Sequence, residues 1–144
     1  MTQDTKFRKL KLFLRIWAVL CILVMSINWS AFIFKNLQFN PGGPWHWLIW
    51  DDVYGHVGPM LFAIYIVWSV YLFKVSDDPV SNKQFLDFTL CSNLAHGVVM
   101  IPMALDDVMY HTKFLTDIPF ILLLSLGIYM WGPGSKTVQM PGKA

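Results

Sequence analysis

The chain alternates between four long apolar segments and shorter polar ones. The apolar segments cover approximately residues 12–34, 56–73, 85–105 and 114–130. Each is close to the ~17–25 residues that a transmembrane helix needs, the second and fourth being the shortest. Short polar connections between such helices make consecutive helices antiparallel neighbours. We therefore predict an all-α integral membrane protein, built as an up-down-up-down four-helix bundle.

Composition supports this prediction and separates a transmembrane domain from a C-terminal tail. Of its 144 residues 56% are hydrophobic and 14% are charged, whereas ordinary soluble domains carry about 25% charged residues. The first apolar segment is too long for the core of a cleaved signal peptide, so we interpret it as a retained span. We predict a single four-span transmembrane domain over residues 1–131. Glycine–proline pairs in residues 132–144 indicate a flexible cytoplasmic tail.

The distribution of basic residues predicts the orientation in the membrane. Nine of the eleven fall on one side of the predicted bundle, and only Lys35 and Lys113 fall on the other. Cytoplasmic loops are enriched in Lys and Arg, so we expect both termini in the cytoplasm. The net charge of +2 excludes nucleic acid as an expected partner. The nine residues are Lys6, Arg8, Lys9, Lys11, Arg15, Lys74, Lys83, Lys136 and Lys143.

The predicted outer loop between the first two spans is rich in tryptophan. A turn signal at residues 40–44 precedes Trp45, Trp47 and Trp50. Indole rings favour the headgroup level of a bilayer, so we expect these three residues to act as interfacial anchors. A lid that contacts a substrate is the alternative for this aromatic loop.

Two Asp-Asp-Val-x-x-His stretches are predicted to lie on the same outer face. They contain Asp52 with His56, and Asp107 with His111, each pair four residues apart. On an α-helix this spacing places both side chains on one face, and carboxylate and imidazole ligands suit a divalent transition metal. The competing interpretation is that they are solvated helix ends, because Asp is favoured near helix N-termini.

His96 lies near the middle of the third predicted span. An ionisable residue at that depth indicates a functional site, and Asn93, Tyr65 and Ser26 are expected near its level. These residues predict either a ligand pocket or hydrogen bonds between helices. A bis-histidine haem is not expected, because His56 and His96 differ in depth by roughly 14 Å at the rise of an α-helix.

The second half of the chain contains Leu-Ala-His-Gly at residues 94–97 and Asp-Ile-Pro at residues 117–119. Through these motifs, approximately residues 89–131 resemble a family of small bacterial four-helix integral membrane proteins that has no established activity. The resemblance implies a bacterial inner membrane as the location. It implies that His96, Asp117 and Pro119 are family positions. The residues themselves favour a helix-capping role for Asp117 and Pro119 at the start of the fourth span.

No catalytic motif stands out, so we expect no enzyme activity and leave the cofactor open beyond a divalent metal. We predict a non-catalytic accessory or structural subunit of a larger membrane complex. It would pack through its helices and Trp-rich loop on lipid, on other membrane subunits or on copies of itself. The alternative is a small membrane enzyme or a metal- or ligand-binding protein that uses the outer Asp/His cluster and the pocket around His96.

Overall fold

The computed structural model describes residues 2–50 and 53–134, and all regular structure in these ranges is helical. Four α-helices follow one another along the chain: α1 (Gln3–Ile33), α2 (Val57–Val75), α3 (Lys83–Asp106) and α4 (Asp117–Trp131). Short 3-10 helices occupy the connections at Leu37–Phe39, His46–Leu48 and Val108–Phe114. The predicted all-α, four-helix architecture is confirmed.

Four helical segments are long and apolar enough to cross a membrane, which identifies an integral membrane protein. The fourth segment, Val108–Trp131, joins the last 3-10 helix to α4. Large apolar side chains such as Leu23, Ile64 and Val99 are exposed on the helices. Because the rest of the chain does not cover these apolar side chains, they need an apolar environment such as lipid.

The helix boundaries differ from the sequence prediction mainly at the start. The first helix begins at Gln3 instead of near residue 12, since the Lys- and Arg-containing stretch before the span continues the helix. The third helix extends over Lys83–Asp106, close to the predicted 85–105. Residues 135–144, most of the predicted tail, lie outside the described residues, as do Asp51 and Asp52.

The helices are packed as two close pairs. Helix α1 packs against α2, and α3 packs against α4, while α1 also contacts α4. At Gly97 of α3 an added Cβ atom would lie 2.5 Å from Leu122 Cδ2 of α4, so the missing side chain permits this close approach. Within the α3–α4 pair, Ser125 Oγ also donates to the Leu90 carbonyl at 3.0 Å.

Helices α2 and α3 meet chiefly through large side chains. Trp68 Nε1 donates to Thr89 Oγ1 at 3.0 Å, and the Trp68 ring stacks on Phe88 with centroids 5.7 Å apart. Tyr65 of α2 likewise bonds to His96 of α3. Because these side chains are large, the backbones of α2 and α3 do not pack closely against each other. The space between the four helices is therefore bordered by side chains where α2 faces α3.

One end of the bundle is held by exposed ion pairs between α1 and the connection that follows α2. Arg15 donates to both carboxylate oxygens of Asp77, at 2.8 and 3.0 Å, and Lys11 Nζ lies 2.6 Å from the same group. The hydrogen bond from Lys11 and the pairing with Arg15 lower the pKa of Asp77. The opposite end, called the loop end below, is formed by residues 34–50, 53–56 and 107–116.

Candidate functional site

A cavity of about 310 Å³ lies between the helices on the side of the loop end. Each α-helix contributes one polar side chain to its wall: Asn28 from α1, Tyr65 from α2, His96 from α3 and Asp117 from α4. The remaining wall is mostly apolar. It is rich in aromatic rings and includes Trp17, Trp50, Phe62 and Phe120. A mainly apolar cavity with a few convergent polar groups is the usual form of a small-molecule site.

Tyr65 and His96 form a hydrogen-bonded pair across the cavity wall. The Tyr65 hydroxyl bonds to His96 Nδ1, and the two rings lie with centroids 5.8 Å apart. Trp68 stacks on Tyr65 at an interplanar angle of 15°, which fixes the phenol ring. If His96 carries its proton on Nε2, the Tyr65 hydroxyl donates to Nδ1 and the Nε2–H group stays unused. If the proton is on Nδ1, that N–H donates to Tyr65 and the Tyr65 O–H stays unused. Either tautomer thus leaves the pair one donor, called the reserve donor below. The pair can therefore donate a hydrogen bond to a molecule in the cavity.

Asn28, which lines the same cavity, carries a buried acceptor without a partner in the described part of the chain. Its side chain is 1% exposed, and its amide nitrogen donates to the Leu48 carbonyl at 3.1 Å. Because Leu48 offers an acceptor, this bond also fixes which side-chain atom of Asn28 is the nitrogen. Among the residues that the structure describes, none hydrogen-bonds to Asn28 Oδ1. A buried unpaired amide oxygen costs roughly 1–3 kcal/mol, which a donor from a bound molecule would offset.

A stacked aromatic pair lines the cavity roughly 16 Å along α1 from Asn28, on the side away from the loop end. The Trp17 and Phe120 rings are nearly parallel, with centroids 4.9 Å apart, and both residues line the cavity. Trp17 Nε1 donates to the Phe120 carbonyl at 3.2 Å, so the indole orientation is fixed by a hydrogen bond between α1 and α4. The cavity thus has at least one preformed flat aromatic surface.

Lys113 is buried at the loop end, in contact with three residues that line the cavity. Its side chain is 0% exposed, and its ammonium group donates to the Trp47 carbonyl at 2.7 Å. It lies 3.1 Å from Asp117 Oδ2 and 5.4 Å from the centroid of the Trp50 ring. Trp50 Nε1 donates to the same Asp117 oxygen at 2.7 Å. One ammonium and one carboxylate therefore bind the Trp-rich loop to the start of α4.

His46 is buried beside this ion pair. It is 8% exposed, its ring lies 6.1 Å from that of Tyr110, and its Nε2 is without a hydrogen-bond partner among the described residues. Burial lowers the pKa of His46, and the positive charge of Lys113 lowers it further. The neutral imidazole is therefore the form that the folded chain favours.

The structure separates the residues that were predicted near the middle of the bundle. It brings Tyr65 and His96 together, whereas Ser26 is exposed on the outside of α1. Asn93 is 1% exposed, and its amide donates to the Thr89 carbonyl of its own helix, away from the cavity wall. The prediction used depth alone, and depth does not determine the direction in which a side chain leaves its helix.

The candidate metal ligands do not form a cluster in the described part of the chain. Within residues 2–50 and 53–134, no three His, Cys or acidic side chains are arranged to hold a metal. His56, Asp107 and His111 are exposed, and Asp52 lies outside the described residues. The argument from four-residue spacing assumed α-helices, but α2 begins after His56 and residues 108–114 form a 3-10 helix. In a 3-10 helix residues three apart share a face.

The predicted interfacial anchors occupy different environments. Trp45 and Trp47 are partly exposed, at 45% and 39%. Trp47 and Trp50 line the cavity, and Trp50 also bonds to Asp117. Asp117 and Pro119 lie in the first turn of α4, at the position that sequence indicates for a cap. The N-cap residue, Thr116, makes no side-chain cap bond, and the Asp117 carboxylate instead accepts from Trp50 and lies beside Lys113.

Sequence reasoning missed the buried environment of Lys113. It had placed this residue in an outer polar connection, and the only available signal was an acidic residue four positions later, at Asp117. The place of Trp50 in the cavity wall was missed as well, because nothing in the sequence distinguishes it from the other two tryptophans of the same loop. The place of Asn28 in the cavity wall was missed too. What separates it from Ser26 and Ser30 is the side of α1 from which its side chain projects, and the sequence alone does not show that side.

Comparison of the chain with protein-family models, curated proteins and solved structures finds no match. The resemblance to small bacterial four-helix membrane proteins stays a prediction.

Replacing Lys113 by Met should reduce the free energy of unfolding by about 3 kcal/mol. This is the low end of the cost of breaking a buried pair, because the Asp117 side chain is 26% exposed. The double variant Lys113→Met with Asp117→Asn should recover part of the loss, since no carboxylate then stays unpaired. Titration with a denaturing detergent in mixed micelles measures the difference.

The matched control for this experiment is Lys83→Met. Lys83 and Asp87 form an ion pair with the same four-residue spacing, and the Asp87 side chain is 57% exposed. Exposed pairs contribute about 0–1 kcal/mol, so this variant should differ little from wild type. Equal losses in the two single variants would contradict a special role for Lys113.

Acidification should destabilise the protein in part through His46. Because the pKa of His46 is lowered in the folded chain, the unfolded chain binds more protons below its own pKa of about 6.5. Stability is then lost as the pH falls from about 7 toward 5. The His46→Gln variant should lose less than wild type over this range, as measured by thermal unfolding. An identical decrease in both proteins would refute the assignment.

Proposed function

We propose that this membrane protein binds a small lipid-soluble molecule in the cavity between its four helices. The single observation that carries the proposal is that one polar side chain from each helix meets in a largely apolar cavity of about 310 Å³. Engineered apolar cavities of about 150 Å³ hold a benzene molecule. The volume is thus sufficient for a substituted single ring.

The arrangement of the polar groups supports binding over a purely structural role. Polar groups that only join helices are expected to satisfy one another, because no water competes for them in the bilayer. The Tyr65–His96 pair keeps one donor that its own hydrogen bond does not use. Four buried side-chain atoms have no partner among the described residues, and of the residues that carry them only Asn28 lines the cavity, as Tyr65 and His96 do.

The aromatic contacts between α2 and α3 support a route from lipid. These helices are bridged by Trp68 and by the Tyr65–His96 pair, and side chains can move more readily than packed backbones. At the loop end, the ion pair of Lys113 and Asp117 holds the Trp-rich loop against the start of α4. A molecule that dissolves in the bilayer would therefore enter between α2 and α3.

The excess of Lys and Arg on the side of both termini favours termini in the cytoplasm and the loop end on the outer side of the membrane. A bacterial inner membrane as the location rests on the resemblance to small bacterial four-helix membrane proteins. The accessory-subunit role, with other subunits or a second copy as partners, stays a prediction. Ligand binding ranks above it because the cavity is a specific feature, whereas exposed apolar helices suit lipid and partners equally.

Binding can be tested with 4-bromoanisole, an apolar ring whose bromine quenches tryptophan fluorescence on contact. Trp17, Trp47 and Trp50 line the cavity, so wild-type protein in detergent should show a saturable quenching component. Val24→Phe places a larger side chain in the cavity wall and should weaken that component at least 10-fold. The control Leu23→Phe adds the same ring at an exposed neighbouring position and should leave it unchanged.

Helical circular dichroism and thermal unfolding of both variants separate loss of binding from loss of folding. Quenching that rises linearly with the bromoanisole concentration, and equally in all three proteins, would show partitioning into detergent only. That result would contradict the proposed function.

A further inference from the structure

The cavity offers two hydrogen-bonding groups of different character at two levels. At a rise of about 1.5 Å per residue, Asn28 lies roughly 8 Å from the loop end of its helix and His96 roughly 15 Å. The Asn28 level offers an unpartnered acceptor, since the amide nitrogen is committed to Leu48. The His96 level offers the reserve donor of the Tyr65–His96 pair.

The acceptor at Asn28 discriminates between classes of ligand. A ketone, an ether or a hydrocarbon leaves Oδ1 without a partner, whereas a hydroxyl group donates to it. Sites built to hydrogen-bond a hydroxyl group reject analogues that lack it, because the buried polar group is then left unpaired. The preferred ligand therefore carries a neutral hydroxyl donor.

The surroundings of Asn28 exclude a charged ligand. The carboxylate of Asp117 is already paired with Lys113 and accepts from Trp50, so it does not offer a free counter-charge to the cavity. Most of the remaining wall is apolar. An ion would lose its hydration there without a partner to replace it.

The shape of the wall favours a flat ring over an aliphatic chain. Two rings of the cavity wall lie near Asn28: Phe62, roughly 8 Å along α2 from the loop end, and Trp50, two residues after the Leu48 carbonyl that accepts from Asn28. The Trp50 indole is fixed by its bond to Asp117 and by its stack on Tyr110, with centroids 5.4 Å apart. Aromatic side chains form favourable offset or edge contacts with a planar ligand ring.

We infer that the ligand is a neutral, lipid-soluble aromatic alcohol, a phenol or a hydroquinone, whose hydroxyl group donates to Asn28 Oδ1. The inference rests on the proposed function and adds to it the chemical class of the ligand. The reserve donor of the Tyr65–His96 pair contacts a second oxygen substituent when the ring carries one.

The test compares two probes that share the same brominated ring. 4-Bromophenol carries the hydroxyl donor, and 4-bromoanisole carries a methyl ether in its place. Wild-type protein should bind the phenol about 10-fold more tightly, the effect of one buried hydrogen bond that the ether cannot make. Dissociation constants follow from the saturable quenching of tryptophan fluorescence, after correction for partitioning into detergent with the Val24→Phe variant.

Asn28→Leu removes the acceptor while keeping a side chain of similar size. In this variant the ratio of the two dissociation constants should fall to about one, chiefly through weaker binding of the phenol. If Asn28→Leu does not fold, the comparison of the two probes on wild-type protein decides the question by itself. Tyr65→Phe, which keeps the ring and removes the other hydroxyl group, should retain the preference for the phenol.

The outcomes separate the two levels of the proposal. Saturable binding of both probes with equal affinity would overturn the aromatic-alcohol assignment and leave the proposed binding function standing. A preference of the same size for 4-bromobutanol over its methyl ether would overturn the requirement for a ring. Failure of every probe to bind saturably would overturn both the assignment and the proposed function.

Discussion

A single buried ammonium group, that of Lys113, determines how the loop end closes over the helices. It donates to the Trp47 carbonyl and pairs with Asp117, which also accepts from Trp50. These contacts hold residues 47–50 against the start of α4, where Trp47, Leu48 and Trp50 become part of the cavity wall. Leu48 in turn accepts from Asn28 and fixes the orientation of that amide. The cavity and its unpartnered acceptor thus both depend on one charge pair.

The second constraint is that lipid provides no hydrophobic force between helices. Close packing and polar contacts must supply the association instead, and the two helix pairs show both solutions. Gly97 permits close approach of α3 and α4, whereas α2 and α3 are joined by Trp68 and by the Tyr65–His96 pair. Large aromatic bridges of this kind leave space between helices. Tyr65 and His96, which join the two pairs, also line the cavity.

The fold was predictable from sequence because the length and apolarity of the segments are strong signals, and the order of the helices follows from them. His96 and Tyr65 were predictable as members of one polar level, since rise along a helix gives depth. The direction of each side chain was not predictable. Ser26 and Asn28 differ by two positions on α1, yet one is exposed and the other is buried in the cavity wall. Lys113 was misplaced because a 3-10 helix, and not an exposed connection, carries it into the protein interior.

The account therefore depends on whether an aromatic alcohol occupies the space between Asn28 and His96. The most direct measurement is a crystal structure of the wild-type protein with 4-bromophenol, in which anomalous scattering locates the bromine atom. The account predicts one ordered bromine inside the cavity, on the His96 side of the phenol oxygen, which lies within hydrogen-bond distance of Asn28 Oδ1. Bromine found only on the lipid-facing surfaces of the helices would contradict it.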